Sequence, residues 1–581
     1  MISVISIFLF SISVQAAETE YTLEPIVVKA KSSFDSLSED LYLPQKKISF
    51  ESSRGSTLDA LDKNEPFPSV NYGYPSGAMG STLGGRSIDD TQVSTLGVPL
   101  NLPQGGGPDL SFFPSFLWSG VNISSVPSVA GFSPQGVSGS MQFDLWTRDQ
   151  VRDHKFSTTI SRVTGNYDRQ LQNFSVATKK ENIAILGGMN FGQQKGPAGS
   201  LSYYFIRKPR SHFIFHMLGT DQDGESPGDK NNPTPTARKK TWRVIPALES
   251  HQEFGNEEED RVILESTFYA DLHQMIFEDP GLYSTSTRTQ QFGVENALHW
   301  GENTIAFTGR LVNFQSSTFG NFSEWPVLAQ YSHDFQLDHH WNMRLAGGGD
   351  YISSVGFAPN ARASFKYKLT PSSAWFYELN SLAKMPTLTS RYYVLGLYHG
   401  NPNLKSERVN ALIAGFESNG NVVGSTTTLK GEYRNQIQVN QNNTTENAGN
   451  ASLLSLLEDL KWKATDKLTS NSGVLLTYSK LAGSGYPYPD LPYFSAYWGS
   501  AYSFSDIWKL KFDIHYHGNS TTALGADHAD YALMNASLDY SPISGTTFTL
   551  GCENLEDKRA EVIVDYPLPG RIVYMNFGST F

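Results

Sequence analysis

The side chains best placed for chemistry lie in one short acidic run, GTDQDGESPGD, which brings Asp221, Asp223 and Asp229 close together in the sequence. Clustered carboxylates can hold a calcium ion, which prefers oxygen ligands. The run does not match the EF-hand pattern, and acidic runs of this kind are commonly solvated loops. The sequence therefore leaves two interpretations open, a calcium site in a loop or a charged loop without a metal.

Covalent chemistry has few candidate residues in this chain. Neither a GxSxG nor an HExxH motif occurs in it. Cys552 is the only cysteine, which excludes an internal disulfide and any cysteine cluster for zinc or iron–sulfur. His399 stands just before the string GNPNL, and a single histidine is a weak signal for a haem ligand. We therefore expect that the protein is not an enzyme and requires no cofactor.

The composition narrows the class of partner. The formal net charge of −12 argues against nucleic acid, which would favour a basic stripe. No apolar run reaches about eighteen residues, so no helix is expected to span a membrane. Residues 1–16 form an apolar run that ends in Val14, Gln15 and Ala16, which predicts a signal peptide and export. The positive segment that usually precedes such a run is missing, because the first basic residue is Lys29.

From about Lys155 onward, short alternating segments are separated by Gly, Asn, Asp, Ser and Pro. In the segment Trp508–His517, every second residue is apolar and the others, including Lys509 and Lys511, are polar. The remaining chain of about 425 residues has room for roughly 20 strands, at about 10 residues each plus connections. A soluble β-sandwich rarely becomes that large. The pattern therefore predicts an all-β fold, an antiparallel β-barrel that crosses a membrane.

A membrane barrel also predicts where its charges point. A Lys or Arg facing the middle of the bilayer would cost about 2 to 4 kcal/mol. Lys430, Arg434, Lys509 and Lys511 are therefore expected to face the lumen. The segment Gln436–Ser452, rich in Asn and Thr, lacks apolar periodicity and is predicted to be a long outer loop.

The two ends of the barrel region carry further signals. Residues 180–182 lie between two alternating segments and are predicted to form a tight turn. At the end of the chain, Val573, Met575 and Phe577 alternate with Asn576 and Gly578. This is the two-residue period of a strand with one face on lipid. We expect that this last segment closes the barrel.

About 130 residues between the signal peptide and the barrel are dense in Gly, Pro and Ser, and are too poor in amphipathic strands to be barrel wall. This stretch is predicted to be a separate domain. It opens with LEPIVVKA at Leu23–Ala30, where Ile26, Val27 and Val28 favour an extended backbone. A partner strand could pair with this segment while Pro25, which lacks an N–H, faces the free edge. The alternative is a β-prone linker.

Four sets of strings, taken in order, resemble the family of TonB-dependent outer-membrane receptors. They are LEPIVVKA at Leu23–Ala30, LGGRSIDDTQVSTLGVPLN at Leu83–Asn101, KMPT with GNPNLKSE at Lys384–Glu407, and NLEDK with YPLPGR at Asn554–Arg571. The resemblance implies a barrel of about 22 strands that encloses an N-terminal α+β plug domain. It divides the chain into a signal peptide (1–16), a periplasmic segment with the TonB box (17–34), a plug domain (35–150) and the barrel (151–581).

The resemblance also implies partners and a location. TonB, with its inner-membrane energising complex, would bind the TonB box; the residues carried over to it are Glu24, Pro25, Ile26, Val27, Val28, Lys29 and Ala30. The protein would be a monomer in the lipid of the bacterial outer membrane. Ligand would be captured by two plug loops, whose candidate contact residues are Tyr72, Tyr74, Met79, Asn101, Gln104 and Asp109. Calcium in the outer loops stays an alternative through Asp221, Asp223 and Asp229.

The substrate expectation rests on one string. Val98–Pro114 is similar to the corresponding stretch of vitamin B12 (cobalamin) receptors, which favours cobalamin over a ferric siderophore or haem. Asn122–Ser128, NISSVPS, departs from the charged pattern usual at this place in the family, so packing or release of the plug is expected to differ. A passive porin or adhesin and an outer-membrane enzyme are the alternatives from other classes.

Overall fold

The computed structural model describes part of the amino-terminal region and nearly all of the remainder. The described residues are 46–49, 57, 61, 69–71, 79–83, 87–125, 136–146 and 154–580, the last range with gaps at 164–168, 181–182, 193, 209, 227, 229–232, 256–260, 282, 319, 396–397, 441, 483–486, 490, 522–526 and 564. No helix among them is long and apolar enough to cross a membrane. Residues 24–30, which are predicted to form the TonB box, lie outside the described residues.

Seven short strands come first among the described residues, and five of them form one sheet. They are β1 (Lys46–Ser49), β2 (Ser69–Asn71), β3 (Met79–Ser81), β4 (Thr91–Thr95), β5 (Val98–Pro99), β6 (Trp118–Ser124) and β7 (Gly139–Leu145). The sheet has the order β1-β6-β7-β4-β5, with β4 and β7 parallel and the other pairs antiparallel. Short 3-10 helices at Ile88–Asp90, Leu110–Phe112 and Ser115–Leu117 connect its strands. We call residues 46–146 the inner domain and this sheet the inner sheet.

The remaining strands build a closed sheet and three small hairpins. The first half contains β8 (His154–Val163), β9 (Arg169–Lys180), β10 (Ile183–Gly192), β11 (Gln194–Lys208), β12 (Ser211–Glu225), β13 (Arg238–Phe254), β14 (Val262–Asp279), β15 (Tyr283–Trp300), β16 (Asn303–Ser316), β17 (Gly320–Glu324), β18 (Val327–Gln336), β19 (Trp341–Ile352), β20 (Gly356–Thr370) and β21 (Ser373–Lys384). A short helix, α1 (Leu388–Tyr392), follows. The second half contains β22 (Val394–Leu395), β23 (Tyr398–His399), β24 (Glu407–Asn419), β25 (Val423–Val439), β26 (Thr445–Lys463), β27 (Leu468–Leu481), β28 (Phe494–Ser503), β29 (Trp508–His517), β30 (Ser520–Thr521), β31 (Asp527–His528), β32 (Tyr531–Ile543), β33 (Thr546–Glu553), β34 (Glu561–Ile563), β35 (Tyr566–Pro567) and β36 (Ile572–Thr580).

The closed sheet is an antiparallel barrel in which strands adjacent in the chain are neighbours. Its ring contains 23 of the described strands, and β36 pairs with β8 to close it. Because β17 and β18 both pair with β16, one after the other, they count as a single wall strand, which gives a barrel of 22 strands. The prediction of a large antiparallel barrel closed by the last segment of the chain is therefore confirmed.

Side chains alternate between the two faces of the wall as the sequence predicted. On β36, Val573 and Met575 are 42% and 60% exposed, whereas Tyr574 and Asn576 are buried. Lys430 and Arg434 on β25 are buried and face the lumen, where they form ion pairs. Lys511 faces the same side on β29 and pairs with Asp539 at 2.8 Å. The lumen-facing prediction for these charges is confirmed.

One loop prediction was wrong. The segment Gln436–Ser452 was expected to be a long loop, but β25 runs to Val439, β26 begins at Thr445, and the two pair as far as these residues. Most residues of β26 in this part are polar or small, so the apolar period is weak there. Backbone pairing continues the strands to Val439 and Thr445, and the Asn440 amide donates to Glu446 at 3.0 Å.

Two kinds of connection distinguish the mouths of the barrel. One mouth has two-residue connections, such as 301–302 between β15 and β16 and 371–372 between β20 and β21. Residues 181–182 of the predicted tight turn lie outside the described residues. The other mouth has longer connections, such as 385–406 and 554–571, which hold α1 and the small hairpins. We call these the short-turn mouth and the long-loop mouth.

The inner domain packs against the lumen face of the wall. Trp118 and Phe143 of the inner sheet share one buried apolar cluster with wall residues. These wall residues come from both halves of the chain: Leu186, Ala198, Leu218, Ile245, Ala247, Tyr269, Leu457 and Leu475. A second cluster joins Val137 to Ala346, Leu382 and Val409. Since the contacts come from strands on several sides of the ring, the inner sheet lies within the barrel.

At three places in the described wall a tyrosine ring lies over a glycine of the neighbouring strand, and we call each such pair a joint. Tyr269 on β14 is the direct cross-strand partner of Gly293 on β15, and a Cβ placed on that glycine would lie 2.3 Å from the tyrosine ring. Tyr497 covers Gly473 and Tyr574 covers Gly551 in the same way. Glycine is therefore required there because the ring occupies the space of a side chain.

Candidate functional site

The site with the densest buried chemistry is the contact between the inner domain and the wall. At its centre is Asp90, which ends a 3-10 helix just before β4 and is fully buried. Its carboxylate accepts hydrogen bonds from Lys384 Nζ at 2.6 Å and from Arg434 Nη1 at 2.6 Å. Lys384 ends β21 and Arg434 lies on β25. One carboxylate of the inner domain is therefore held by two cations of the wall.

Further charges complete this ionic cluster. Lys384 Nζ also lies 2.7 Å from Asp89 and 4.0 Å from Glu407, its cross-strand neighbour on β24. Glu432 bridges the two β25 cations, at 2.7 Å from Arg434 and 2.5 Å from Lys430. The cluster therefore contains four carboxylates and three cations.

Ser138, just before β7, adds a neutral contact to the same cluster. Its backbone carbonyl accepts from Lys430 Nζ at 3.2 Å, and its hydroxyl accepts from Arg434 Nη2 at 3.3 Å. Removing one member of a buried ion pair typically costs about 3 to 5 kcal/mol, because the other charge is left uncompensated. The cluster is thus a strong and specific attachment of the inner domain.

A second attachment holds the loop between β5 and the 3-10 helix at Leu110. Asp109 is buried, accepts from Ser111 N at 3.1 Å as the cap of that helix, and pairs with Lys239 of β13 at 2.8 Å. Four residues further along β13, Arg243 binds Asp271 with Nε at 2.9 Å and Nη2 at 2.7 Å.

Arg243 also reaches the backbone of the inner domain. Its guanidinium donates to the carbonyl of Leu100 at 3.1 Å and to that of Pro99 at 3.3 Å. A planar guanidinium can serve a carboxylate and two carbonyls together, which an ammonium cannot. Arg243 therefore fixes the chain at β5 against the wall.

The edge strand β1 forms the third attachment. Lys46 Nζ lies 2.9 Å from Asp459 of β26 and 2.9 Å from the Tyr497 hydroxyl of β28. The next residue, Lys47, is 3.3 Å from Asp144 of β7. Burial raises the pKa of Asp144, and the nearby Lys47 opposes that rise.

Helix α1 brings the long-loop mouth down onto the inner domain. Thr387 caps the helix by accepting from Ser390 N at 3.1 Å. Thr389 donates its backbone N–H at 2.8 Å and its hydroxyl at 2.5 Å to the carbonyl of Gln104. Arg391 anchors the helix to the wall through Glu324 at 2.6 Å. The string KMPT therefore supplies an ionic contact through Lys384 and, through Thr387, the cap of a helix that contacts the inner-domain loop at Gln104.

The structure places three of the predicted ligand residues in one loop. Asn101 is buried and braces that loop, since its amide accepts from Val93 N at 2.7 Å and donates to the carbonyls of Thr91 and Gly106, both at 2.8 Å. Asp109 is held by Lys239. The Gln104 side-chain oxygen is buried and has no hydrogen-bond partner among the described residues.

The other predicted ligand residues give less information. Tyr72 and Tyr74 lie outside the described residues, and so does the side chain of Met79 within β3. Direct ligand contact by any of the six residues stays a prediction, and the described part shows that Asn101 and Asp109 have structural contacts of their own.

The acidic run sits at the end of β12. Asp221 and Asp223 point outward from the wall, and Asp223 pairs with Arg238 at 2.8 Å. Asp229 lies outside the described residues. Within the described ranges no three His, Cys, Asp or Glu side chains are grouped so that they could hold a metal ion. A calcium site there stays a prediction.

Sequence reasoning missed most of the attachment residues. Asp89, Asp90 and Lys384 belong to the strings that carry the family resemblance, and Arg434 was expected to face the lumen. No local sequence pattern, however, indicates that these residues pair with one another. One feature of the sequence could have found them. A buried acid at a turn of the inner domain needs a cation as its partner, and the alternation along the strands had already indicated which cations of the wall face the lumen.

Comparison with known proteins rests on structure. No protein-family model matches the chain, and no curated protein matches it either. The siderophore receptor PirA from Acinetobacter baumannii has a TM-score of 0.77 at 13% identity, covering 93% of this chain and 99% of that one. The ferric enterobactin receptor PfeA of Pseudomonas aeruginosa gives 0.77 at 13%, covering 92% and 99%. The ferric citrate transporter FecA in its unliganded form gives 0.73 at 13%, covering 93% and 97%.

At such low identity the likeness shows the fold. The match extends over nearly the whole of each compared chain, so it includes the barrel and much of the region before it. The chain therefore has the fold of these siderophore receptors and of the ferric citrate transporter.

Proposed function

We propose that this protein is a TonB-dependent outer-membrane receptor that imports a ferric siderophore. The observation that carries the proposal is the buried ionic cluster around Asp90, by which a barrel of 22 strands holds a separate inner domain in its lumen. A barrel of that size would otherwise enclose a wide aqueous lumen. An inner domain attached by buried charges closes that lumen and must be displaced by work, which TonB would supply through residues 24–30.

The exterior of the barrel supports a membrane location. Large apolar side chains such as Leu412, Leu454 and Met575 are exposed on the outer face. Aromatic pairs lie close to the short-turn mouth: Trp341 with Tyr367, Trp375 with Phe416, and Trp508 with Tyr540. Aromatic girdles at the lipid boundary and short turns on the periplasmic side are typical of outer-membrane barrels. The long-loop mouth would then face the exterior of the cell.

The choice of substrate follows the structural neighbours. The compared proteins are named as receptors or transporters for siderophores, ferric enterobactin and ferric citrate. The expectation of cobalamin rested on Val98–Pro114 alone, and in the structure this stretch makes the loop contacts of Asn101 and Asp109, which serve packing. We therefore favour a ferric siderophore and keep cobalamin as the second candidate, with calcium as a possible addition for that ligand.

Uptake by cells tests the proposal. A strain that lacks its own siderophore receptors, with and without this protein, is given a panel of radiolabelled ferric siderophores and labelled cyanocobalamin, the latter also with calcium. We expect uptake of one ferric siderophore that stops when a protonophore is added or when residues 24–30 are deleted. A deletion of equal length at 17–23 is the control.

The possible outcomes separate the candidates. Uptake of cyanocobalamin alone would transfer the function to the second candidate. Flux that survives both the protonophore and the deletion of residues 24–30 would indicate a passive pore and overturn the proposal. Absence of the protein from the outer-membrane fraction would overturn its location as well.

A further inference from the structure

The charges around the long-loop mouth restrict the kind of ferric complex that the protein can accept. We propose that its substrate is an uncharged ferric trihydroxamate rather than an anionic ferric complex. Each hydroxamate carries one negative charge, so three of them balance Fe³⁺, whereas three catecholates, with two negative charges each, leave a trianion. The inference rests on the proposed function and narrows its substrate class.

The inner domain presents an uncharged loop to the long-loop mouth. Residues 98–108, VPLNLPQGGGP, contain no charged residue, and we call them the inner loop. The Gln104 carbonyl accepts from the backbone and the hydroxyl of Thr389 in α1, which places the inner loop against the connections of that mouth. Residues 69–81, which include the predicted ligand residues of the other plug loop, contain no charged residue either. A ligand entering there therefore meets amides, glycines and backbone groups of the inner domain.

The wall segment that touches the inner loop has a single formal charge. Among residues 385–404, MPTLTSRYYVLGLYHGNPNL, Arg391 is the only Lys, Arg, Asp or Glu. Its side chain is buried and pairs with Glu324 at 2.6 Å. The charge of Arg391 is thus already compensated within the protein, and the segment offers hydroxyls, amides and aromatic rings instead.

The end of the β25–β26 hairpin lies beside that segment and is also uncharged. Residues 436–445 are QIQVNQNNTT. The Asn401 amide donates to the carbonyl of Thr445 at 3.0 Å, and the His399 backbone N–H donates to that of Asn443 at 2.9 Å. The inner loop, the segment 385–404 and this hairpin end therefore form a neutral polar surface.

The long-loop mouth as a whole has more acidic than basic residues. Its connections between wall strands are residues 164–168, 193, 226–237, 280–282, 317–319, 353–355, 385–406, 440–444, 482–493, 518–530 and 554–571. They hold nine acidic residues and six basic ones, which are Lys230, Arg391, Lys405, Lys558, Arg559 and Arg571. An anion that approaches this mouth therefore meets a net negative charge, which opposes its entry.

A trianion needs cations if the protein is to enclose it. Ligand sites bury most of the surface of their ligand, and a buried charge without a partner is costly. Lys239, Arg243 and Arg391, the cations beside the inner loop and α1, are already paired with carboxylates of this chain. An uncharged complex has no such requirement, and its carbonyl oxygens can accept from Asn, Gln, Thr and Tyr donors. Charge complementarity therefore favours the trihydroxamate.

Calorimetry on the detergent-purified full-length protein tests this. The probes are two uncharged trihydroxamates, ferrichrome and coprogen, and two anionic complexes, ferrichrome A, a trihydroxamate with three added carboxylates, and ferric enterobactin, a triscatecholate. Cyanocobalamin is included for the second candidate function. We expect one uncharged trihydroxamate to bind at least about a hundredfold more tightly than either anionic complex. Its affinity should change less than about twofold between about 50 and about 500 mM NaCl, because no ion pair is there to be screened.

A matched pair of variants tests the role of charge at the inner loop. Gly105 is exposed in that loop, and no described atom lies within 4 Å of a Cβ placed on it. Gly105→Lys should bind ferrichrome A or ferric enterobactin at least about tenfold more tightly than Gly105→Gln does, since a charge-assisted contact is strong. Because the two side chains are similar in length, both variants should bind the uncharged trihydroxamate alike. The shift in gel mobility between heated and unheated samples shows that each variant still forms a barrel.

The outcomes separate this inference from the proposed function. Tighter binding of ferrichrome A or ferric enterobactin than of both uncharged trihydroxamates would overturn the inference and leave import of a ferric siderophore intact. Equal affinity of the two Gly105 variants for both anionic complexes would overturn it as well, because charge at the inner loop would then not act on the ligand. Binding of cyanocobalamin and of none of the ferric complexes would overturn the proposed function together with the inference.

Discussion

Arg434 Nη1 donates to Asp90 Oδ2 at 2.6 Å, and this contact joins two fully buried residues that are 344 positions apart in the chain. The acid belongs to the inner domain and the guanidinium to the barrel wall. Glu432 pairs with both Arg434 and Lys430 on the wall, but the wall part of the cluster has three cations and two carboxylates, so Asp90 supplies compensating charge as well as the link to the inner domain. Displacement of the inner domain must therefore break a buried salt bridge in a region of low dielectric.

The substitution Asp90→Asn should weaken this attachment strongly. It leaves Lys384 and Arg434 buried without their shared carboxylate, a loss of about 3 to 5 kcal/mol. Hydrogen exchange in β4 and β6 of the detergent-purified protein should accelerate by at least about a hundredfold if local opening is limited by this contact. Asp466→Asn, which removes an exposed ion pair with Lys463 in a turn, is the control and should change stability by less than about 1 kcal/mol.

A double variant tests whether uncompensated charge is the cause of the weaker attachment expected in Asp90→Asn. If the damage comes from uncompensated charge, then adding Arg434→Met to Asp90→Asn should recover part of the lost protection, since an apolar side chain needs no partner. Equal exchange in Asp90→Asn and wild type would show that the apolar cluster around Trp118, rather than the ion pairs, limits opening of the inner domain.

The substitution Arg243→Lys should loosen the loop after β5 without removing the charge. Lysine can keep one contact with Asp271, but it cannot also bind the carbonyls of Pro99 and Leu100. Hydrogen bonds to charged groups contribute about 1.5 to 3 kcal/mol each. We expect faster exchange at residues 98–102, measured by mass spectrometry.

Arg238→Lys on the same strand is the matched control. Arg238 pairs with Asp223 on the outer side of β13, where both side chains are partly exposed. The change there should leave exchange at residues 98–102 as in wild type. Similar exchange in both variants would mean that the guanidinium of Arg243 has no special role in holding the loop.

The barrel could be predicted from sequence because each strand carries its own local two-residue period. The lumen-facing positions of Lys430 and Arg434 followed from the cost of a charge in lipid. The pairing of Arg434 with Asp90 could not be predicted, since it depends on how the closed ring places β25 against the inner domain. Asn101 shows the same limit: a polar residue in a Gly- and Pro-rich stretch looks like a loop tip, yet its amide braces the loop internally.

The joint between Tyr269 and Gly293 leads to the last prediction, on assembly of the wall. In Gly293→Ala the added Cβ would lie 2.3 Å from the ring of Tyr269, so the ring must leave its position. Overpacking of this kind costs about 1 to 3 kcal/mol. The temperature at which the folded gel mobility is lost should therefore fall.

Two further variants isolate the contact between that ring and its glycine. Gly187→Ala adds the same methyl group where no atom lies within 4 Å, and it should leave the transition temperature unchanged. Tyr269→Ala combined with Gly293→Ala should be less damaging than the sum of the two single changes, because Tyr269→Ala removes the ring with which the methyl group added by Gly293→Ala collides. If the two single changes lowered the transition temperature by strictly additive amounts, the collision between the Tyr269 ring and the added methyl group would not be the cause. The instability of Gly293→Ala would then have to come from the strand backbone.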